Sequence, residues 1–285
     1  MKPVRFDYAR PRNLADAIGL LATERGITKV MAGGQSLGPM LNLRLVEPDL
    51  IVDIATLAEL RGASIEKNEL VLGACVTHAD IEDGRVPDLT NGAAARIAGA
   101  IAYRAVRNRG TIGGSLVHAD PAADWVTALM TLGAEVELAS RTGRRRVGLA
   151  DFVVGALEVA LQPGELVVAV RIPATPPHAL FGYVKHCRKV GEFAHAIGSV
   201  LLDPVTGEGR ATIGAIEAPP IVFADARPLF GGQIAPDFAA RFDPRVADTA
   251  LIAAGITDAT DRHQHITVLR RAVMQAGAIA PAAAA

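Results

Sequence analysis

Two glycine-rich segments constrain this chain more than any other feature of its sequence. The first is Ala32-Gly33-Gly34-Gln35-Ser36-Leu37, and the second is Thr111-Ile112-Gly113-Gly114-Ser115-Leu116. Consecutive glycines let a backbone turn where a Cβ would clash, so that successive N–H groups can face one concavity. Two such loops facing each other would form a clamp for a pyrophosphate. The sequence therefore predicts a protein that holds a dinucleotide.

Neither common dinucleotide motif accompanies these segments. The chain has no G-x-G-x-x-G between a strand and a helix, and no G-x-x-x-x-G-K-[ST]. A lone glycine pair is more often a plain tight turn. The stronger signal is the longer stretch 109–124, which is dense in turn-forming residues, hydroxyls and carboxylates. No catalytic triad and no metal-binding constellation is evident, so we expect a binding role with neither catalytic residues nor metal ligands.

Size and charge exclude several classes of protein. A chain of 285 residues is comfortable for two domains. Its net charge of −1 predicts no general attraction to nucleic acid or to an anionic membrane surface. No apolar run approaches the roughly 18 residues that a membrane span needs, and the N-terminus lacks the apolar core of a signal peptide. The expected location is the cytoplasm.

The chain has two cysteines, Cys75 and Cys187, far apart in the sequence. An all-cysteine iron–sulfur cluster needs four thiolates, so this chain alone cannot supply one. A cysteine-rich structural zinc site is excluded for the same reason. Both thiols are expected to be buried and inert.

The pattern of apolar residues predicts mixed helices and strands. Asn13 resembles a helix cap, Pro39 suits the first turn of a short helix, and prolines 173, 176 and 177 suggest a linker. An alanine-rich tail, expected to be disordered, ends the chain. Strands are predicted at 28–32, 50–54, 64–67, 69–74, 134–139 and 165–172, and an antiparallel meander at 181–185, 194–202 and 210–215. Helices are predicted at 14–21, 39–44, 91–106, 120–132 and 261–275.

Several motifs together resemble the FAD-binding medium subunit of molybdenum hydroxylases, the group that includes xanthine dehydrogenase and carbon monoxide dehydrogenase. The resemblance runs through nearly the whole chain. Its motifs are Phe6-Asp7-Tyr8, A-G-G-Q-S-L at 32–37 with Leu43-Arg44-Leu45 behind it, R-N-R-G-T-I-G-G-S at 107–115, H-A-D-P-A-A-D at 118–124, and Lys185 with R-K-V-G-E-F-A at 188–194.

The resemblance implies an α+β fold. A PCMH-type (vanillyl-alcohol oxidase-like) FAD-binding domain is expected at 1–175, with subdomains of about 1–58 and 59–175 gripping an extended FAD. A smaller α+β domain with a three-stranded antiparallel sheet is expected at 178–285.

The resemblance also implies the residues that bind FAD. Two segments would bind the pyrophosphate and flank the ribityl chain, and four single residues would contact the cofactor elsewhere. The first segment is Ala32, Gly33, Gly34, Gln35, Ser36 and Leu37; the second is Thr111, Ile112, Gly113, Gly114 and Ser115; the single residues are His118, Asp124, Lys185 and Phe193. Asp124 would accept from a sugar-type hydroxyl, Lys185 would approach the flavin ring, and Phe193 would shape access to it.

Structural explanations for several of these residues stay open at this point. Asp124 could merely begin a helix, Lys185 could be a solvated strand residue, and His118 could be a loop histidine. The arginines at 104, 107 and 109 are expected to be solvated or to face a partner, and those at 144–146 to be a solvated hairpin end. Two positions depart from the family pattern: Glu192 stands where the family has Asp, and Trp125 replaces a small or aliphatic residue.

By resemblance, the chain is an oxidoreductase subunit. It would pass electrons from two [2Fe-2S] clusters in a small subunit through FAD to an external acceptor, while a large subunit carries molybdopterin. A dimer of heterotrimers is the expected assembly. The substrate pocket would lie in another polypeptide, and the missing nicotinamide motif favours a quinone, a cytochrome or oxygen as acceptor. Two alternatives remain: a stand-alone flavin oxidase or reductase on the same fold, and a flavin-free scaffold.

Overall fold

A computed structural model describes residues 2–23 and 26–279, which form an α+β fold. The strands are β1 Asp7–Ala9, β2 Thr28–Met31, β3 Leu50–Asp53, β4 Ala63–Glu66, β5 Glu69–Gly73, β6 Glu135–Ser140, β7 Gly143–Gly148, β8 Val153–Gly155, β9 Glu158–Val159, β10 Leu166–Pro173, β11 Leu180–His186, β12 Ala196–Asp203, β13 Glu208–Gly214 and β14 Ile221–Phe223. The helices are α1 Leu14–Leu21, α2 Leu37–Asn42, α3 His78–Glu82, α4 Ala93–Ala100, α5 Arg104–Arg107, α6 Ile112–His118, α7 Asp124–Thr131, α8 Leu149–Phe152, α9 Phe238–Arg241, α10 Pro244–Ala253 and α11 Ala259–Ile279.

The first sheet is small and parallel, with strand order β1-β3-β2. All four residues of β3 are buried, as expected for the central strand of a parallel sheet. Helix α1 covers the sheet. It begins after Asn13, whose side chain accepts a hydrogen bond from the Asp16 amide, so the sequence-predicted cap is confirmed. The carboxyl end of β2 leads directly into the first glycine segment.

The second sheet is antiparallel, in the order β4-β5-β10-β6-β7. One face carries the largest core of the chain, in which helices α4, α6 and α7 pack around Trp125. Residues of the other face, among them Val168 and Ala139, join the core beneath the first sheet. The central strands β5, β10 and β6 are therefore buried between two layers, and Gly114 near the start of α6 adjoins Ala32 of the first glycine segment.

The third sheet is an antiparallel meander, β11-β12-β13-β14. Helix α11 lies on one face and α7 contacts β12 and β13, so β12 is buried along nearly its whole length. The approach is close: a Cβ on Gly198 would lie 2.6 Å from the backbone of Leu269. Strand β14 was missed, so the predicted three-stranded sheet has four strands. The three residues of β14 are too short to give an alternating pattern.

Other sequence predictions are corrected by local geometry. The predicted helix 91–106 is two helices, α4 and α5, separated by the non-helical stretch 101–103. The helix expected from 120 begins only at Asp124, because the Asp120 side chain instead holds a turn by accepting from the Ala122 amide. The arginines at 144–146, expected at a solvated hairpin end, lie within β7 and pair with Glu137, Glu165 and Glu69. The expectation of a disordered tail falls on 280–285, which lies outside the described residues.

The hairpin of β4 and β5 and the short helix containing Pro39 are confirmed. Of the two cysteines, Cys75 is buried and Cys187 is partly exposed, so the expectation of burial is wrong for Cys187. Within 2–23 and 26–279, no helix combines the length and the apolar character that a membrane crossing requires.

Candidate functional site

A cavity of about 880 Å³ runs between the first sheet, the second sheet and the segment that follows β11. Its volume is at the upper end of the range typical of small-molecule and cofactor sites. Most of the sequence-predicted residues line this cavity. They are Ala32, Gly33, Gly34, Gln35, Ser36, Leu37, Thr111, Gly113, Gly114, Ser115, His118, Asp124 and Phe193. Two are not part of the lining: Ile112 is fully buried in the core, and Lys185 lies behind Asp124.

The first glycine segment presents open backbone amides to the cavity. Gly34 has φ of 73°, the left-handed region that glycine adopts without strain. The amides of Gly33, Gly34, Gln35 and Ser36 donate to no acceptor within the part of the chain described. Successive unpaired N–H groups in such a turn form an anion-binding concavity. The predicted role of this segment as a source of donors therefore fits its geometry.

The two glycine segments meet across a very short gap. A Cβ on Gly33 would lie 1.9 Å from the carbonyl oxygen of Arg109, the residue that precedes the second segment by two positions. The Arg109 side chain also donates to the Gly33 carbonyl at 3.2 Å. Only a residue without a Cβ allows this approach. Arg109 is exposed, as expected for a solvated arginine, and its side chain in addition joins the two segments.

The second segment is a helix rather than an open loop. Thr111 caps α6 by accepting from the Gly114 amide, and the amides of Ile112 and Gly113 donate to Val76 and Ala74. The amides of residues 112–115 are thus already used within the protein, whereas the Thr111 amide donates to no acceptor among the described residues. The expectation that these N–H groups face the concavity is therefore wrong for residues 112–115. What it offers to the cavity is a bare glycine surface and the hydroxyl of Ser115.

Asp124 is the centre of a buried polar cluster at one end of the cavity. Its Oδ1 accepts from the Lys185 ammonium at 2.8 Å and from the Tyr183 hydroxyl at 2.7 Å, and Lys185 also donates to the Ala100 carbonyl at 2.8 Å. Burial, with the Asp124 charge as a further cause, raises the pKa of Tyr183 well above its ordinary value. Lys185 is not a solvated strand residue, since its side chain is only 13% exposed.

At the mouth of the cavity, Phe193 is 72% exposed and His118 is partly buried. The segment that carries Phe193 rests on the 101–103 stretch, because a Cβ on Gly191 would lie 3.0 Å from the Tyr103 ring. Arg107 holds that stretch in place by donating to the carbonyls of Ile101 and Ala102 while it pairs with Glu82. The expectation that Arg107 is solvated or faces a partner is therefore wrong; Arg104, half exposed, pairs with carboxylates on the surface.

Several lining residues escaped the sequence analysis. His78, Tyr103, Leu161 and Glu165 all face the cavity but belong to three separate segments. Leu161 and Glu165 reach it through the connection before β10, and no local motif marks them. His78 follows Thr77, which pairs with Thr111 across an isolated bridge. Trp125, which the sequence analysis had singled out, donates a hydrogen bond to His78.

The lining suits FAD in its chemistry. Open amides and the Ser36 and Ser115 hydroxyls could hold a pyrophosphate, and apolar side chains such as Val30, Val106 and Leu161 could enclose the rings. Among the described residues, no group of three or more histidine, cysteine or acidic side chains is placed to hold a metal ion. The fold and the cavity thus define a class: proteins that hold a dinucleotide between an open glycine turn and a glycine-faced helix.

Comparison with known proteins identifies the family. Residues 4–175 match the family described as the FAD binding domain in molybdopterin dehydrogenase. The chain is 36% identical over 207 residues to the carbon monoxide dehydrogenase medium chain of Afipia carboxidovorans, with 71% of this chain and 70% of that protein covered. It is 33% identical over 227 residues to the caffeine dehydrogenase subunit beta of a Pseudomonas species, with 78% and 77% covered.

Solved structures agree with this result. The carbon monoxide dehydrogenase of Hydrogenophaga pseudoflava contains a chain that matches with a TM-score of 0.87 and 29% identity, over 99% of this chain and 100% of that one. The chain therefore belongs to the FAD-binding domain family of molybdopterin dehydrogenases. The resemblance inferred from the sequence motifs is confirmed.

Proposed function

We propose that this chain is the FAD-carrying medium subunit of a molybdenum hydroxylase. In this role it passes electrons from [2Fe-2S] clusters of a small subunit through FAD to an external acceptor, while a large subunit with molybdopterin oxidises the substrate. The observation that carries the proposal is the apposition of the two glycine segments, with four open amides of the first at the cavity wall. FAD, when bound, supplies the redox chemistry, and this chain positions it.

The roles of the site residues belong to this proposal. The segment 32–37 would hold the pyrophosphate through its amides and through Ser36, and Ser115 of the segment 111–115 would supply a second hydroxyl. His118 and Phe193 would border the flavin half. Lys185 would act through Asp124, because its ammonium is already bound by that carboxylate. Asp124 keeps its Oδ2, which accepts no hydrogen bond within the part of the chain described, available for a cofactor hydroxyl.

The finer architecture is also proposed. The separate cores favour a PCMH-type domain at 1–175, divided into subdomains of about 1–58 and 59–175, and a second domain at 178–285. The relatives named as medium chains favour a complex with large and small subunits over a stand-alone flavin enzyme. A dimer of heterotrimers and a cytoplasmic location remain predictions from the sequence.

Two measurements test the proposal. The purified chain, incubated with FAD and desalted, should show the flavin absorption bands with about one FAD per chain. The native assembly should contain molybdenum, iron and a cysteine-rich small chain. A chain that retains no flavin would refute FAD binding, and an isolated chain that oxidises substrate without partners would favour the stand-alone alternative.

A further inference from the structure

One buried histidine in the cavity wall has a hydrogen-bonding capacity that the protein leaves unused. His78 is only 5% exposed, and its Nδ1 accepts a hydrogen bond from the Trp125 indole N–H at 3.0 Å. A nitrogen that accepts carries no proton, so the neutral ring must carry its proton on Nε2. Burial, and to a smaller extent the nearby Arg107 charge, lowers the pKa of His78 to about 4, which keeps the ring neutral near pH 7.

The Nε2–H group has no partner among the described residues, and it is not sealed from the cavity. None of the described residues forms a hydrogen bond with His78 Nε2, and this atom is not completely enclosed by the protein. His78 lines the cavity, and its Nε2 edge lies beside Gly110, another lining residue, where an added Cβ would come within 2.9 Å of it. An N–H group that opens only into a cavity donates to whatever occupies that cavity, so His78 is placed to meet a ligand there.

The neighbours of His78 indicate which half of a bound dinucleotide would lie beside it. Its neighbour in the wall is Gly110, which follows α5, the helix that begins next to the 101–103 stretch on which the Phe193 segment rests. Through Trp125 it adjoins Asp124 and hence the Lys185 cluster. Phe193 is proposed to border the flavin half, so these contacts favour that half for His78.

We propose that His78 donates an Nε2–H hydrogen bond to the flavin half of bound FAD, and that Trp125 positions the ring and fixes its tautomer for this purpose. The inference rests on the proposed function, since it needs FAD in the cavity. This gives a role to Trp125, which departs from the family pattern. Its hydrogen bond fixes the orientation of the His78 ring, and the neutral ring then donates through Nε2. His78 contacts the cofactor, and Trp125 is a positioning residue.

The test compares variants that keep or remove the donor. H78F fills a similar volume without a donor, and H78Q restores an N–H at a similar reach. W125F leaves His78 in place but frees its ring. H265F is the matched control, because His265 is also 5% exposed but lies on α11, away from the cavity. The apoprotein of each variant is titrated with FAD and, separately, with ADP as a probe of the adenine half.

The wild type and H265F should bind FAD equally. H78F should bind FAD about three- to tenfold more weakly, the worth of one neutral hydrogen bond, with ADP affinity unchanged. H78Q should recover most of the loss, and the flavin absorption bands should shift in H78F and W125F but not in H265F. If H78F does not fold, the pair H78Q and H78M makes the same comparison.

Unchanged FAD affinity and unchanged bands in H78F would overturn the inference. An equal loss of FAD and ADP affinity would also overturn it, since that pattern reports general damage to the fold. Failure of the wild type to bind FAD would instead overturn the proposed function. The two failures are therefore distinguishable.

Discussion

Replacing Gly33 with alanine tests the apposition on which FAD binding depends. The new Cβ would lie 1.9 Å from the carbonyl oxygen of Arg109 and 3.0 Å from the Gly110 Cα. These are backbone atoms, so no side-chain rotation can relieve the contact. Ordinary carbon contacts begin near 3.5 Å, so the two segments must part by about 1 to 2 Å.

The cost follows from this displacement. Forcing a methyl group into a packed site costs about 1–3 kcal/mol, and the same movement widens the concavity around a pyrophosphate. Because about 1.4 kcal/mol corresponds to a tenfold change in an equilibrium constant, we expect G33A to weaken FAD binding roughly tenfold to a hundredfold. The loss should affect ADP as well, since both ligands carry the pyrophosphate.

Gly38 offers a matched control five residues further on. It lies in α2, and an added Cβ would meet nothing within 4 Å. G38A should therefore bind FAD like the wild type and be slightly more stable, as alanine favours a helix. The assay is fluorescence titration of each apoprotein with FAD, with circular dichroism to establish folding. If folded G33A binds FAD within twofold of G38A, the clamp geometry does not govern affinity and the reasoning is refuted.

Three further predictions concern buried groups. K185M leaves the Asp124 carboxylate buried without its cation, so the free energy of unfolding in urea should fall by about 3–5 kcal/mol. The double variant K185M/D124N should recover much of this loss. Equal stability of K185M and K185M/D124N would contradict the prediction. The pKa of His78 is about 4 in the folded protein against an ordinary 6.5, so the unfolded state binds the proton more readily. The wild type should lose about 3 kcal/mol more stability than H78Q as the pH falls from 6.5 to 4, and parallel pH profiles would count against this. Burial raises the pKa of Cys75 to about 12, so a thiol reagent near pH 8 should modify only Cys187 in the native chain. In urea the reagent should modify both cysteines. Rapid labelling of both cysteines in the native chain would contradict the prediction.

Local features were predicted well wherever a few neighbouring residues determine them. The cap at Asn13, the hairpin of β4 and β5 and the meander of β11 to β13 all follow from short-range turn chemistry and alternation. Errors arose where a long-range contact competes with local preference. The second glycine segment has the composition of a loop, yet it is helical because Thr111 caps it and its first amides reach Val76 and Ala74.

The sequence by itself indicated the class of ligand and the family, because the long stretch 107–124 is specific where a glycine pair alone is not. Only the tertiary structure decided the different roles of the two segments. The first offers open amides, whereas the second uses the amides of residues 112–115 within the protein and contributes a bare glycine surface. The same holds for His78, whose role depends on Trp125, 47 residues away along the chain. A hydrogen bond between distant residues fixes a tautomer only after packing has brought the two rings together, and no local pattern encodes that distance.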